Sequence, residues 1–233
     1  MATQGYEREV VVLAGKRTGF GTLGGSLKDL SATDPGVFSS TAAIEAAGIT
    51  PDQIDHTFFG NALQTSADAI YLARHIALRS GIPDEKPALT INRLCGSGFE
   101  AVVQGAKEII LGEADVALTG GTESMSQAPH VVRGARWGGL RLGPASGQFE
   151  DLLWGALTDT NCGLSMAQTA EELAERYGVT RSEVDEVAFH SQQRAKTAWD
   201  DGRFDIEVTG VKLDENLKNV DQVRSEVGMV FQS

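Results

Sequence analysis

Within "NRLCGSG", residues 92 to 98, Cys95 is followed by Gly96, Ser97 and Gly98, and an amphipathic run then extends from Phe99 to Leu111. The thiol therefore falls at or just before a helix N-terminus. The unpaired amide hydrogens and partial positive charge of a helix start favour a thiolate over a thiol, which is what a nucleophile needs. The glycines let backbone approach a bulky ligand and allow torsions that side chains forbid. The same position also suits a buried structural cysteine beside a tight turn. Spacing alone leaves both open, and the nucleophile reading follows only the general logic of activated cysteines.

Other residue types capable of chemistry are scattered. His56 and His75 fall on a strand edge and a helix, His130 in an irregular stretch and His190 on a late helix, and none pairs with another at metal-ligand spacing. Structural or surface roles are the expectation for each, and no metal is expected. Cys162 is the second of two cysteines. It could pair with Cys95 in principle, but free thiols are expected in a reducing compartment.

The elements that must position Cys95 alternate between two periodicities. "EVVVLAGKRT" opens as a β-branched run, and a helical pattern from about Asp34 to Ala47 stops at Gly48. "IDHTFFGNAL" reads as a second strand, residues 67 to 80 as a helix ending at Gly81, and "PALTINRL" as a third strand leading into Cys95. The helix after Cys95 ends at Gly112, before a fourth strand in "DVALTGGTE". Strands alternating with helices predict a layered α/β fold around a mainly parallel sheet. From Ser126 to about Asp159 glycines, prolines, arginines and tryptophans break the pattern, as expected of a long loop that covers a ligand or an interface. Helical spacing resumes over 164–178 and again after Thr180, where Glu183 three residues on completes a capping box.

Composition narrows the function classes. The 233 residues suffice for a substantial core, and 41% hydrophobic with 22% charged residues and 27 glycines fits a soluble α/β protein. A net charge of −12 disfavours a broad nucleic-acid or anionic-membrane surface but leaves room for a small phosphate-bearing ligand. No apolar run is long enough for a bilayer span. The first 20 residues carry acidic side chains and an apolar run of only about five, so neither a secretory signal nor a transit peptide is expected and the cytoplasm is the default.

Lined up in order, "NRLCGSG" at 92–98, "GGTESMSQAPH" at 120–130, "SMAQTAEELAERYGVTR" at 165–181 and "HSQQRAKTAWDDGRF" at 190–204 resemble the N-terminal half of a thiolase, most closely its degradative 3-ketoacyl-CoA type. The likeness covers about residues 8 to 205, so 1–205 is expected to form a thiolase N-terminal-like domain with a covering and oligomerisation loop over about 126–159. It implies a βαβαβαββ half-fold, mixed but mostly parallel, with Cys95 at the start of a buried helix and a second half missing. It further implies an acyltransferase that moves an acyl group between 3-ketoacyl-CoA and coenzyme A through a Cys95 thioester, by thiolytic cleavage or the reverse Claisen condensation. Coenzyme A is then a substrate, no separate cofactor is required, and fatty acid β-oxidation is the implied setting. Ser165 and Met166 match the family segment that lines the pantetheine tunnel, although a methionine on an amphipathic helix also suits a core. The implied partners are acyl-CoA, coenzyme A and further copies in a homodimer or homotetramer, with no nucleic acid and no membrane.

The family chemistry also uses a histidine in a Gly-His-Pro motif and a cysteine in a Cys-x-Gly motif, and neither motif occurs in these 233 residues. Cleaving a 3-ketoacyl thioester needs a thiolate, an oxyanion stabiliser and a proton donor converging on one carbon. The chain is therefore expected to be acylated at most, with the Cys95 amide contributing to an oxyanion hole and no turnover. A non-catalytic truncated or chimeric fragment that keeps only the dimerisation surface is the alternative. Beyond about 205 the likeness changes: residues 206–233 resemble a piece of a polar-amino-acid transporter ATPase, with Gln232 at its loop glutamine. The phosphate-binding G-x-x-x-x-G-K-[ST] motif is absent from the chain, so nucleotide binding by that route is not expected.

Overall fold

A computed structural model describes residues 8–139 and 149–210. Contacts divide the chain into one unit reaching Gln127 and rejoined from Asp205, and a second unit spanning Ala128–Phe204. The expected tail over 206–233 lies outside the described residues from 211 onward, as does 140–148 of the expected loop.

The first unit is built around three parallel strands. Helix α1 (Thr33–Ala47) ends on Gly48, which takes the left-handed conformation at φ 67°. Strand β1 (His56–Gly60) follows, then α2 (Leu72–Arg79), β2 (Ala88–Ile91), α3 (Ser97–Leu111) and β3 (Ala117–Gly121). The strand order is β2-β1-β3, with Phe58 opposite Leu89 on one side and Thr119 on the other. Strand β1 is buried from Thr57 to Gly60, as a central parallel strand covered on both faces must be.

The two faces receive different helices. Phe59 packs with Leu72, Ala73 and Ile76 of α2 and with Ala32, while Val37 of α1, Ala88 and Leu118 close the edge. A second cluster of Ile44, Ile54, Ala77 and Ile82 continues that layer. The opposite face, carrying Phe58 and Thr119, meets α3. The sheet-facing stripe of α3 consists of small residues, Ser97, Ala101 and Gly105, at helical spacing. A Cβ on Gly105 would stand 2.6 Å from the Thr119 methyl, so the close helix–sheet approach depends on that glycine.

Asp55 ties the bottom of the sheet together. Its carboxylate accepts from the amides of Asp115 (2.9 Å) and Val116 (3.1 Å) and from Lys86 Nζ (3.0 Å), and these donations hold it below its ordinary value.

Among the described residues the first expected strand forms no ladder. Val11, Val12 and Leu13 are exposed, and the nearest pairing is an isolated parallel bridge between Arg17 and Val208. A β-branched run becomes a strand only where a neighbouring edge takes up its amides and side chains.

The second unit holds the stretch expected to be a loop, and short elements interrupt it. Strand β4 (His130–Val132) pairs antiparallel with β5 (Phe149–Asp151), α4 (Ala135–Gly138) stands between them, and α5 (Leu152–Ala156) is capped by the Asp151 carboxylate. Elements of three to five residues are too short to leave a readable period. Strands β6 (Thr158–Asp159) and β7 (Leu164–Ser165) form a small hairpin before α6 (Met166–Tyr177) and α7 (Arg181–Asp200). The capping box at Thr180 forms as expected, its hydroxyl accepting from the Glu183 amide at 3.3 Å. No described helix is long and apolar enough to cross a membrane.

Candidate active site

Cys95 is a free, exposed thiol immediately before Gly96, the N-cap of α3. The helix starts where the sequence places it, but it is buried only along its sheet-facing stripe: Phe99 and Val102 on the outer face are 63% and 49% exposed. The expected buried helix is thus half-buried among the described residues. Its inner stripe lies against the sheet, while its larger apolar side chains face outward.

Close backbone contacts fix the height of the helix start. A Cβ on Gly60, the last residue of β1, would come within 2.4 Å of the Ser97 carbonyl carbon, and one on Gly121 of β3 within 3.0 Å of the Gly98 Cα. Two strand ends therefore carry the first turn of α3 directly, and Cys95 is held above them.

The loop into Cys95 is locked by its own polar groups. Leu94 adopts φ 49°, a left-handed torsion for a side-chain-bearing residue, adjacent to the thiol. The Leu94 amide donates to Asn92 Oδ1 at 3.0 Å, closing an Asx turn, and the Leu94 carbonyl accepts from the Ser97 hydroxyl at 2.6 Å and the Ser97 amide at 3.0 Å. The Ser97 hydroxyl also accepts from the Arg93 amide at 2.8 Å. Arg93 pairs with Glu100 in the first turn of α3; donation from Gln104 and then from Arg93 holds the Glu100 carboxyl below its ordinary value.

A half-buried carboxylate lies behind this loop. Glu123 accepts from Asn61 Nδ2 (2.7 Å), the Ala62 amide (2.8 Å) and the Leu63 amide (3.1 Å). Burial raises its carboxyl above the ordinary value, against those three donations. Asn61 Nδ2 also donates to the Thr122 carbonyl at 3.0 Å. Glu123 stands inside "GGTESMSQAPH" and Asn92 inside "NRLCGSG", yet neither was singled out by residue type. The available signal was an Asn two residues before Leu94, the spacing of an Asx turn leading into Cys95.

The other sequence candidates lie elsewhere. Ser165 and Met166 belong to the second unit: Ser165 is the N-cap of α6 in a capping box with Gln168, and Met166 opens the helix, 49% exposed and outside the core clusters of the described residues. Cys162 is free and exposed in the β6–β7 turn. Each histidine stands beside a carboxylate: His56 by Glu108 (3.5 Å), His75 by Asp68 (3.7 Å), His130 by Asp151 (3.9 Å) and His190 by Glu186 (3.6 Å). Among the described residues no group of three or more His, Cys, Asp or Glu side chains could hold a metal ion.

A parallel α/β layer presents an exposed thiol at the start of a helix, on a loop locked by side-chain hydrogen bonds, which is an arrangement suited to a cysteine nucleophile. The chain belongs to the family described as thiolase, N-terminal domain, which it matches over residues 10–231. It is 52% identical to the mitochondrial 3-ketoacyl-CoA thiolase of Homo sapiens over 206 residues, covering 88% of this chain and 51% of that protein. It is 42% identical to an acetyl-CoA acetyltransferase of Syntrophomonas wolfei over 206 residues, 88% of this chain and 52% of the relative. Among solved structures, the human mitochondrial 3-ketoacyl-CoA thiolase in complex with CoA superposes with a TM-score of 0.83 at 52% identity, covering 88% of this chain and 51% of that one. The chain thus spans about half the length of the relatives it matches.

Proposed function

We propose that Cys95 is the covalent nucleophile of a thiolase-type acyltransferase that uses 3-ketoacyl-CoA and coenzyme A. The Cys95 thiolate adds to the 3-keto carbon, the bond between the α- and β-carbons breaks, and the acetyl-CoA enolate that leaves takes a proton. The acyl group stays on Cys95 as a thioester until a coenzyme A thiol accepts it; the reverse sequence is the Claisen condensation. The observation that carries this reading is the free, exposed Cys95 thiol at the start of α3, above Gly60 and Gly121. Gly-His-Pro and Cys-x-Gly motifs do not occur in the sequence, so acylation without turnover is the activity assigned to these 233 residues.

The test is incubation of the full 233-residue chain with acetyl-CoA, followed by intact and peptide mass measurement. Gain of one acetyl group on Cys95, absent in Cys95→Ala, is the expected result. Failure of Cys95 to acquire it under conditions that acetylate a complete thiolase overturns the reading.

Ser165 and Met166 are assigned to the pantetheine arm of the substrate. The support is the family segment they match and the half exposure of Met166, which leaves its thioether available. A reducing compartment, the cytoplasm, accords with the two free thiols, and fatty acid β-oxidation with the substrate class. Residues 1–205 are read as the acyl-transfer domain and 206–233 as a segment of separate origin, on the likeness of that tail to a transporter ATPase piece; sequencing the source DNA across the junction tests the division.

A second reading, association without chemistry as a homodimer or homotetramer, is supported by the exposed Leu94, Phe99, Val102 and Val103. Sedimentation of the chain alone and with a full-length thiolase separates the two.

A further inference from the structure

We propose that Glu123 and Asn92 are positioning residues for Cys95, acting in series through the single peptide group between Ala62 and Leu63. This inference rests on the reading of Cys95 as the nucleophile. The N–H of that peptide, on Leu63, donates to Glu123 Oε1 at 3.1 Å, and its C=O, on Ala62, accepts from Asn92 Nδ2 at 3.1 Å. Asn92 Oδ1 in turn accepts from the Leu94 amide at 3.0 Å, one residue before the thiol. Donor and acceptor alternate without interruption from the carboxylate to the nucleophile loop, so each bond polarises the next.

The rest of the geometry gives the chain its stiffness. Glu123 Oε2 accepts from the Ala62 amide at 2.8 Å, and Asn61 Nδ2 fills Oε1 at 2.7 Å, so residues 61–63 are clamped along three successive donors. Asn61 is itself 3% exposed, and the strand it follows is the buried centre of the sheet. Asn92, by contrast, sits on an exposed loop, where among the described residues two side-chain hydrogen bonds orient it. Its Nδ2 takes orientation from the clamped peptide, and its Oδ1 passes that orientation to Leu94. The left-handed torsion of Leu94, φ 49°, is the conformation this chain of bonds maintains, and it sets where Cys95 meets the start of α3.

The test compares alkylation of Cys95 and Cys162 by iodoacetamide within the same full-length molecule, quantified by peptide mass mapping. Cys162, free and in the other unit, is the internal reference. Asn92→Ala and Glu123→Gln are each expected to lower the Cys95-to-Cys162 rate ratio about three- to fivefold, the scale of losing a helix-start interaction. Because both act through one peptide, the double variant is expected to fall no lower than Asn92→Ala alone, whereas independent effects multiply. Asn92→Ser, which retains an acceptor for the Leu94 amide, is expected to restore part of the ratio. Asn92 is exposed, so its variants test the link even where Glu123→Gln disturbs folding. An unchanged ratio in Asn92→Ala, or multiplicative effects in the double variant, overturns the proposal. Alkylation does not require acyl-CoA, so an absence of acetylation counts against the proposed function and leaves this measurement to decide the positioning role.

Discussion

Gly60 lies directly beneath Ser97: a Cβ at Gly60 would stand 2.4 Å from the Ser97 carbonyl carbon and 2.6 Å from its oxygen. Both atoms are backbone, and no rotamer change can relieve such an overlap. The end of the central strand therefore sets the position of the helix start, and the helix start sets the position of the thiol.

Gly60→Ala is accordingly expected to destabilise the protein by about 2–3 kcal/mol, the upper range for overpacking a close-packed interior. Gly98→Ala is the contrast, since nothing lies within 4 Å of a Cβ there. Replacing a helical glycine by alanine is expected to gain about 0.5–1 kcal/mol. Urea unfolding of the two variants checks both signs; equal destabilisation would mean that the contact between β1 and α3 does not govern the site.

Asp55 gives the fold a pH dependence of defined sign. The Asp115 amide, Lys86 and the Val116 amide hold its carboxyl below the ordinary value. A carboxylate with a depressed folded value adds stability above its unfolded value, near pH 4, and loses it as pH falls through the folded one. The stability gap between the wild type and Asp55→Asn is therefore expected to be widest near neutral pH and to close in acid, read as the difference in urea midpoints from pH 7 to pH 3. A gap that stays constant over that range contradicts the assignment. Glu123, whose carboxyl is raised by burial, contributes the opposite slope, so the comparison uses the difference between the two proteins rather than either curve alone.

Thr180→Ala isolates one helix of the second unit. The Thr180 hydroxyl accepts from the Glu183 amide, and the Thr180 amide donates to the Glu183 carboxylate at 2.7 Å. Removing the hydroxyl is expected to weaken the first turn of α7 by about 1 kcal/mol. Hydrogen exchange is expected to accelerate about fivefold in that turn, with α3 unchanged; acceleration throughout the chain would show instead that α7 does not open locally.

What the sequence made legible follows the length of each signal. Helices α1 and α3 end where Gly48 and Gly112 supply left-handed caps, and the box at Thr180 starts α7, because each signal is carried by one or two residues acting locally. The position of Cys95 just before a helix start was readable for the same reason. The run from Val10 to Leu13 has the composition of a strand, but its residues lie outside the three-stranded ladder of the described residues, and no local pattern says which edge a strand will join. Glu123 and Asn92 were opaque for a related reason: the bonds that join them to the thiol cross about 30 and 60 residues of chain. Within its motif each is only a polar residue near a glycine or a cysteine.

Leu94 provides the sharpest test of whether the Cys95 loop stores strain. A left-handed torsion costs a side-chain-bearing residue about 1–2 kcal/mol, which glycine does not incur. Leu94 buries little to offset this, being 68% exposed, and its hydrogen bonds to Asn92 and Ser97 use only its main-chain N–H and C=O. Leu94→Gly therefore keeps every bond of the loop and removes the torsional penalty, while the greater freedom of glycine in the unfolded chain takes back about 0.5–1 kcal/mol. The expected net result is a protein more stable by about 0.5–1 kcal/mol in urea unfolding. Its Cys95 alkylation ratio is expected to match the wild type, because the positioning bonds are intact. Lower stability would locate the value of Leu94 in its exposed side chain, and a lower alkylation ratio at unchanged stability would show that the side chain, rather than the hydrogen bonds, holds the thiol.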